Sequence, residues 1–97
     1  MIHHVAVFRW KEATSPAQVQ ALEDGLARLA QAIPQIRSYR FGPDVALSQG
    51  NLDFGLCAEF ASRDDFLAYV NHPSHHKVVE ELIVPIRSER AAVQFEV

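Results

Sequence analysis

The feature that most constrains this chain is its opening run, Ile2 to Trp10, which alternates with period two and is apolar on both faces. His4, Ala6, Phe8 and Trp10 fall on one side, and His3, Val5, Val7 and Arg9 on the other. Such a strand sits in the middle of a sheet and must be covered twice, whereas one layer of helices covers only one face. The remaining elements therefore have to supply one cover, and something else the second.

Downstream patterning supplies a single layer. Ser15 is a good N-cap, Pro16 suits the first helical position, and Gln18 completes a capping box. Val19, Leu22, Leu26, Leu29 and Ile33 then recur at helical spacing until Pro34. Gly25 inside this helix weakens it or admits close approach of a neighbour. Ile36 to Leu47 reads as an irregular strand with a bulge, bend or interruption at Gly42-Pro43, and Ser48 to Asn51 as a turn. Leu52 to Phe60 follows as a second apolar strand, with Phe54, Leu56, Ala58 and Phe60 sharing a face and forming a hairpin with its predecessor. Ser62 caps a helix with Asp64 and Asp65 in its first turn and Phe66, Tyr69 and Val70 on its inward face. Pro73 breaks it, Ser74 is positioned to cap a further short helix ending near Pro85, and Ala91 to Val97 closes the chain as a strand.

The order is β-α-β-β-α-β, the ferredoxin-like split pattern: an α+β fold with a four-stranded antiparallel sheet and its helices on one face. With 97 residues, 48% of them hydrophobic and 22% charged, residues 1–97 are expected to form one domain. The other sheet face is left bare. Each large apolar side chain on it is worth about 1.5–3 kcal/mol when buried, so a homodimer closing two open sheet faces is the expected second cover.

Composition excludes several partner classes. The net charge is −3 and the nine Lys and Arg are scattered, so no basic stripe is available to track nucleic acid. No transmembrane run and no basic, signal-like start are visible, and Cys57 stands alone, read as a small buried strand residue. A cytoplasmic protein without intrachain disulfides is expected.

Chemistry concentrates between Tyr69 and His76, where three of the five histidines, one tyrosine and a helix break fall within eight residues. His75 is the candidate base, since imidazole titrates near neutrality and can take a proton beside a carbonyl. Its place at the start of a helix favours the neutral form. Tyr69 is the candidate oxyanion donor or orienter. His72 and Pro73 read as shaping the break, because an extended residue before proline ties its polar side chain to nearby backbone. His76 reads as facing solvent. His4 is a candidate polar contact in a cavity, with Phe8, Trp10, Phe54 and Phe66 as its apolar lining or filling. No metal site is expected: Pro73 disrupts the helical spacing that would aim His72 and His76 together, and no Cys-x-x-Cys exists.

The chain resembles the Dabb family, the stress-responsive A/B barrel proteins, over its whole length. The resemblance is carried by His4-Val-Ala-Val-Phe-Arg-Trp-Lys, Ile33-Pro34-Gln-Ile36-Arg-Ser-Tyr-Arg-Phe-Gly42, Asp53-Phe-Gly-Leu-Cys-Ala-Glu-Phe60, Tyr69-Val-Asn-His72-Pro73-Ser-His75 and the closing Val93-Gln-Phe-Glu. It implies a dimeric α+β barrel of two ferredoxin-like chains, with a pocket for a small hydrophobic or carbonyl-bearing ligand in each. A plant polyketide cyclase of the family works without a cofactor, closing a linear polyketide by aldol condensation. On that resemblance His75 matches its catalytic histidine, Tyr69 the partner tyrosine and His4 a pocket histidine, while Phe54 stands where a second pocket histidine would be. The implied function is a small stress-responsive homodimer with a ligand pocket. The alternatives are a cofactor-free cyclase-like lyase using the His/Tyr pair, or a cofactor-free monooxygenase by analogy with a neighbouring family on the same barrel. A cavity packed shut by Trp10, Phe54, Phe66 and Tyr69 would instead favour a purely structural dimer.

Overall fold

The computed structural model describes residues 1–97. Its elements are β1 (Ile2–Trp10), α1 (Pro16–Ala32), β2 (Ser38–Pro43), β3 (Phe54–Phe60), α2 (Arg63–Val70), α3 (Pro73–Val78) and β4 (Arg87–Glu96). The four strands form one antiparallel sheet in the order β2-β3-β1-β4, the ferredoxin-like arrangement. β1 is paired along its length on both sides, with Ile2 opposite Phe60 and Glu96 and Phe8 opposite Phe54 and Arg90.

The period-two pattern of β1 divides as its sequence implies. Ile2, His4, Ala6 and Phe8 are buried under the helices together with Phe54, Leu56, Ala58 and Phe60 of β3 and Leu22, Leu26, Leu29 and Ile33 of α1. The opposite sheet face carries His3, Val5 and Val7 beside Phe95, Val93 and Ala91 of β4. Val93 is 55% exposed and Phe95 47%, so this apolar face has no cover within the chain. Cys57, opposite Val5, lies on the same face and is exposed, not buried as its residue type suggests.

Several boundaries differ from the sequence expectation, each for a local reason. The strand from Ile36 shrinks to Ser38–Pro43. After Pro43 the Asp44 carboxylate gathers the chain into a loop, accepting hydrogen bonds from the Ala46 N–H and the Asn51 side-chain amide, both at 3.0 Å. Pro43 is tolerated because β2 is an edge strand. The register shift in the sheet falls between Arg9 and Trp10 of β1, not at Gly42. β3 begins at Phe54 because Asp53 has another role: its N–H donates to Phe8 O and its carboxylate accepts from Trp10 N, both at 2.8 Å. β4 begins four residues early, at Arg87, through a polar run that carries no alternating apolar signal.

The capping box of α1 forms as expected, Ser15 and Gln18 exchanging bonds between side chain and backbone. Ser62 caps α2 through the Asp65 N–H. α3, however, is capped by His72, whose Nδ1 accepts from the Ser74 N–H at 3.0 Å. Pro73 at the first helical position forces His72 to be extended (φ −69°, ψ 135°), which presents its ring to the amide two residues on. After α3 the helix widens into a π-helical turn, Val79–Ile83, closed by the Val84 N–H donating to Val79 O.

Gly25 is where α1 meets this wide turn. A Cβ there would lie 2.5 Å from Leu82 Cδ1, closer than packed atoms come. Gly25→Ala therefore gains about 1 kcal/mol of helix propensity but forces Leu82 aside at a cost of about 1–3 kcal/mol. We expect it to destabilise the protein by about 1 kcal/mol, and to stabilise it by about 1 kcal/mol in a Leu82→Ala background. Urea unfolding of the four proteins of the cycle checks this, and the change of sign is the diagnostic.

Candidate functional site

Between the helix-facing side of the sheet and the helices lies a cavity of about 260 Å³. Strands β1 and β3 contribute its floor through His4, Ala6, Phe8, Phe54 and Leu56, and α1 one wall through Leu22, Leu26 and Leu29. Tyr69 at the end of α2 and His75 in α3 enter from above. The cavity thus brings His4, Tyr69 and His75 together although they come from a strand and two helices. Phe8 and Phe54 also line it. Trp10 and Phe66 do not: Trp10 stacks on Phe8 and leans on Phe54, and Phe66 packs against His4, Phe60 and Tyr69 from outside. They support the wall, and they leave the space open.

Each histidine in this space has one side-chain hydrogen bond, which sets its tautomer. His75 Nδ1 lies 3.2 Å from Val70 O. A carbonyl only accepts, so Nδ1 carries the proton and Nε2 keeps its lone pair, with no partner in the protein. His4 Nδ1 lies 2.8 Å from the Gln94 amide nitrogen, which only donates. Its proton is therefore on Nε2, and the two imidazoles have opposite tautomers, one a free acceptor and the other a free donor. The hydroxyls of Tyr39 and Tyr69 are 2.8 Å apart. Either hydroxyl can donate to the other, and when Tyr39 donates the Tyr69 proton is free for a ligand.

Electrostatics agree with these roles. Burial, assisted by the charge of Arg90 and by His75, pushes His4 down to about 4. Burial also lowers His75, opposed by its bond to Val70 O and reinforced by His76, Arg90 and His72. Both phenols are raised, chiefly by burial, and stay neutral. At neutral pH the cavity holds two uncharged imidazoles and two phenols. The rings of Tyr69 and His75 are 4.5 Å apart, and those of His4 and Tyr69 6.3 Å.

The other histidines are placed elsewhere. His3 stacks on Phe95 on the open sheet face, His72 caps α3 and His76 is exposed. No three His, Cys, Asp or Glu side chains come together to hold a metal ion. No helix is long and apolar enough to cross a membrane.

Sequence reading missed Tyr39, Gln94, Arg87 and Arg90. Tyr39 and Gln94 could have been found by register, since Tyr39 pairs with Ala58 and Gln94 with His4, both on the helix-facing side. The arginines could not. Phe8 faces Arg90 and Trp10 faces Arg87, with Ser88 as the extra residue, so the bulge puts residues three apart on one face. A strict period of two would have separated them.

The model of the stress responsive A/B barrel domain matches residues 2–97. The stress-response A/B barrel domain-containing protein HS1 of Arabidopsis thaliana is 28% identical over 78 residues, covering 76% of this chain and 70% of HS1. Among solved structures, a dimeric ferredoxin-like protein of unknown function from Thermobifida fusca is 40% identical, covers 99% of this chain and 90% of its own, and superposes with a TM-score of 0.92. The hydroxynitrile lyase of Passiflora edulis, 17% identical over 99% of this chain and 92% of its own, shares the fold with a TM-score of 0.88.

The depressed His4 sets a pH signature. Between pH 6.5 and about 4 an unfolded chain protonates this histidine and the folded one does not, so stability falls as the pH falls. At about 1.4 kcal/mol per unit the loss reaches about 3 kcal/mol by pH 4, then levels off. His75 shifts the same way and adds to it. Urea midpoints across this range should show the loss, and His4→Phe should reduce it to the part contributed by His75.

Proposed function

The chain belongs to the stress responsive A/B barrel domain family, and from that premise we propose a homodimer whose protomers each bind a small apolar, carbonyl-bearing molecule and move a proton next to its carbonyl. The observation that carries this reading is the pair of complementary histidine tautomers around one cavity, a lone pair on His75 Nε2 and a free proton on His4 Nε2, with the Tyr69 hydroxyl lining the same space.

In this scheme the ligand's carbonyl oxygen takes hydrogen bonds from Tyr69 and His4. His75 removes a proton from the adjacent carbon, and the electron pair of that C–H bond passes to the oxygen as an enolate. Donors already oriented in an apolar cavity stabilise this charge better than water, which must reorganise around it. The enolate can then attack a second carbonyl, as in an aldol closure, or take back a proton. Lowering of His75 keeps it unprotonated at neutral pH. The step needs no cofactor. A protein sharing this fold, from Passiflora edulis, is a hydroxynitrile lyase.

Dimerisation supplies the second cover of the sheet. Val5, Val7, Ala91, Val93 and Phe95 form an apolar stripe on the open face, and the Thermobifida relative is dimeric. Burying one Val or Phe of this stripe is worth about 1.5–3 kcal/mol. A charge in its centre opposes association: Val93→Glu should elute with the mass of one chain where the wild type elutes with twice that mass.

Turnover is tested by following deuterium uptake into benzylacetone by NMR. The wild type should accelerate exchange beside the carbonyl, with a rate that falls at acid pH about a midpoint below 6.5, set by His75. His75→Ala should lose about a hundredfold or more, and Tyr69→Phe about tenfold to a hundredfold, with the dimer intact. Exchange unchanged in His75→Ala would refute the catalytic role.

A further inference from the structure

The rim of the cavity carries charge that the proton-transfer scheme does not use. Of the sixteen residues lining it, two are cationic, Arg87 and Arg90, and none is acidic. Neither arginine has an ion pair or a side-chain hydrogen bond, in contrast to Arg9, paired with Glu89, and Arg63, paired with Glu96. The two carboxylates of β4 are thus engaged elsewhere, and Glu89, opposite Arg9, points to the other sheet face. The bulge at Arg9/Trp10, with Ser88 held by its hydroxyl against Arg9 O and Trp10 O, is what turns Arg87 and Arg90 to the same side. Bulges commonly re-aim side chains in this way beside active sites.

We propose that this rim is a carboxylate-binding subsite, in which Arg90, assisted by Arg87, takes the anionic end of a ligand whose apolar body fills the cavity. The assignment rests on the cavity being a ligand site, as proposed above, and adds the class of ligand: a small carboxylic acid with an apolar, carbonyl-bearing body. The cavity, of about 260 Å³, suits a small ligand. A guanidinium offers two parallel donors matched to a carboxylate, and close to an apolar wall this pairing is less screened than on open surface. Arg90 lines the same cavity as His4, Tyr69 and His75, so a ligand held there shares that space with all three.

Hydrocinnamate and hydrocinnamamide, which differ in charge but scarcely in shape, are the probes, titrated calorimetrically into the wild-type protein and into Arg90→Gln and Arg87→Gln. Both positions lie at the rim, and an unchanged elution mass and circular dichroism spectrum verify folding. The acid should bind at least tenfold more tightly than the amide, Arg90→Gln should bring the two together, and Arg87→Gln should narrow the gap by less. Amide affinity should be the same in all three proteins. Equal affinities in the wild type, or an advantage of the acid that survives both substitutions, would overturn the subsite and leave the cavity as a site for neutral carbonyl compounds. If neither probe binds, the ligand-site reading falls, and the subsite with it.

Discussion

The pairing of β1 between β3 and β4 is the interaction on which the rest depends. It fixes which side chains of the opening strand meet the helices, and a slip of one residue would exchange Ile2, His4, Ala6 and Phe8 for His3, Val5, Val7 and Arg9. The core, the floor of the cavity and the apolar stripe on the open face are all consequences of this one register. Asp53 defends it at the far end, bonding Phe8 O and Trp10 N where the strand is bulged.

The cavity exists because the helix layer does not close fully over this floor. The break at Pro73 separates α2 from α3, and the π-helical turn after α3 is wider than an α-helix would be. Val78, Val79 and Ile83, on either side of that transition, line the space. The break also places Val70 O where His75 Nδ1 can donate to it, so the device that interrupts the helix also selects the histidine's tautomer. Gly25 lets α1 come up against Leu82 and complete the wall.

Buried polar groups are costly unless they are paired, and His4, Tyr69 and His75 each have a single partner. Gln94 satisfies His4, Val70 satisfies His75, and Tyr39 satisfies Tyr69. The partners come from β4, from the last turn of α2 and from β2, three elements far apart in the chain. What they hold in common is a cavity that is apolar, neutral at its base and cationic at its rim.

Much of this was legible in the residues themselves. Alternation at Ile2 to Trp10, the capping box at Ser15, the helical spacing from Val19 to Ile33 and the stop at Pro73 depend on neighbours within a few positions, where local sterics and hydrogen bonding decide. They suffice for the β-α-β-β-α-β order and for an uncovered sheet face, and the resemblance singled out His4, Tyr69 and His75. Local pattern failed where a long-range partner outweighed it. His72 rather than Ser74 caps α3, Asp44 shortens β2, and Asp53 joins β1 instead of opening β3. The tertiary structure alone decided that three polar side chains from separate elements share one cavity, which tautomer each histidine adopts, and that a one-residue bulge sends Arg87 and Arg90 to the same side. Those outcomes depend on register and packing between segments distant in sequence, and no local periodicity encodes them.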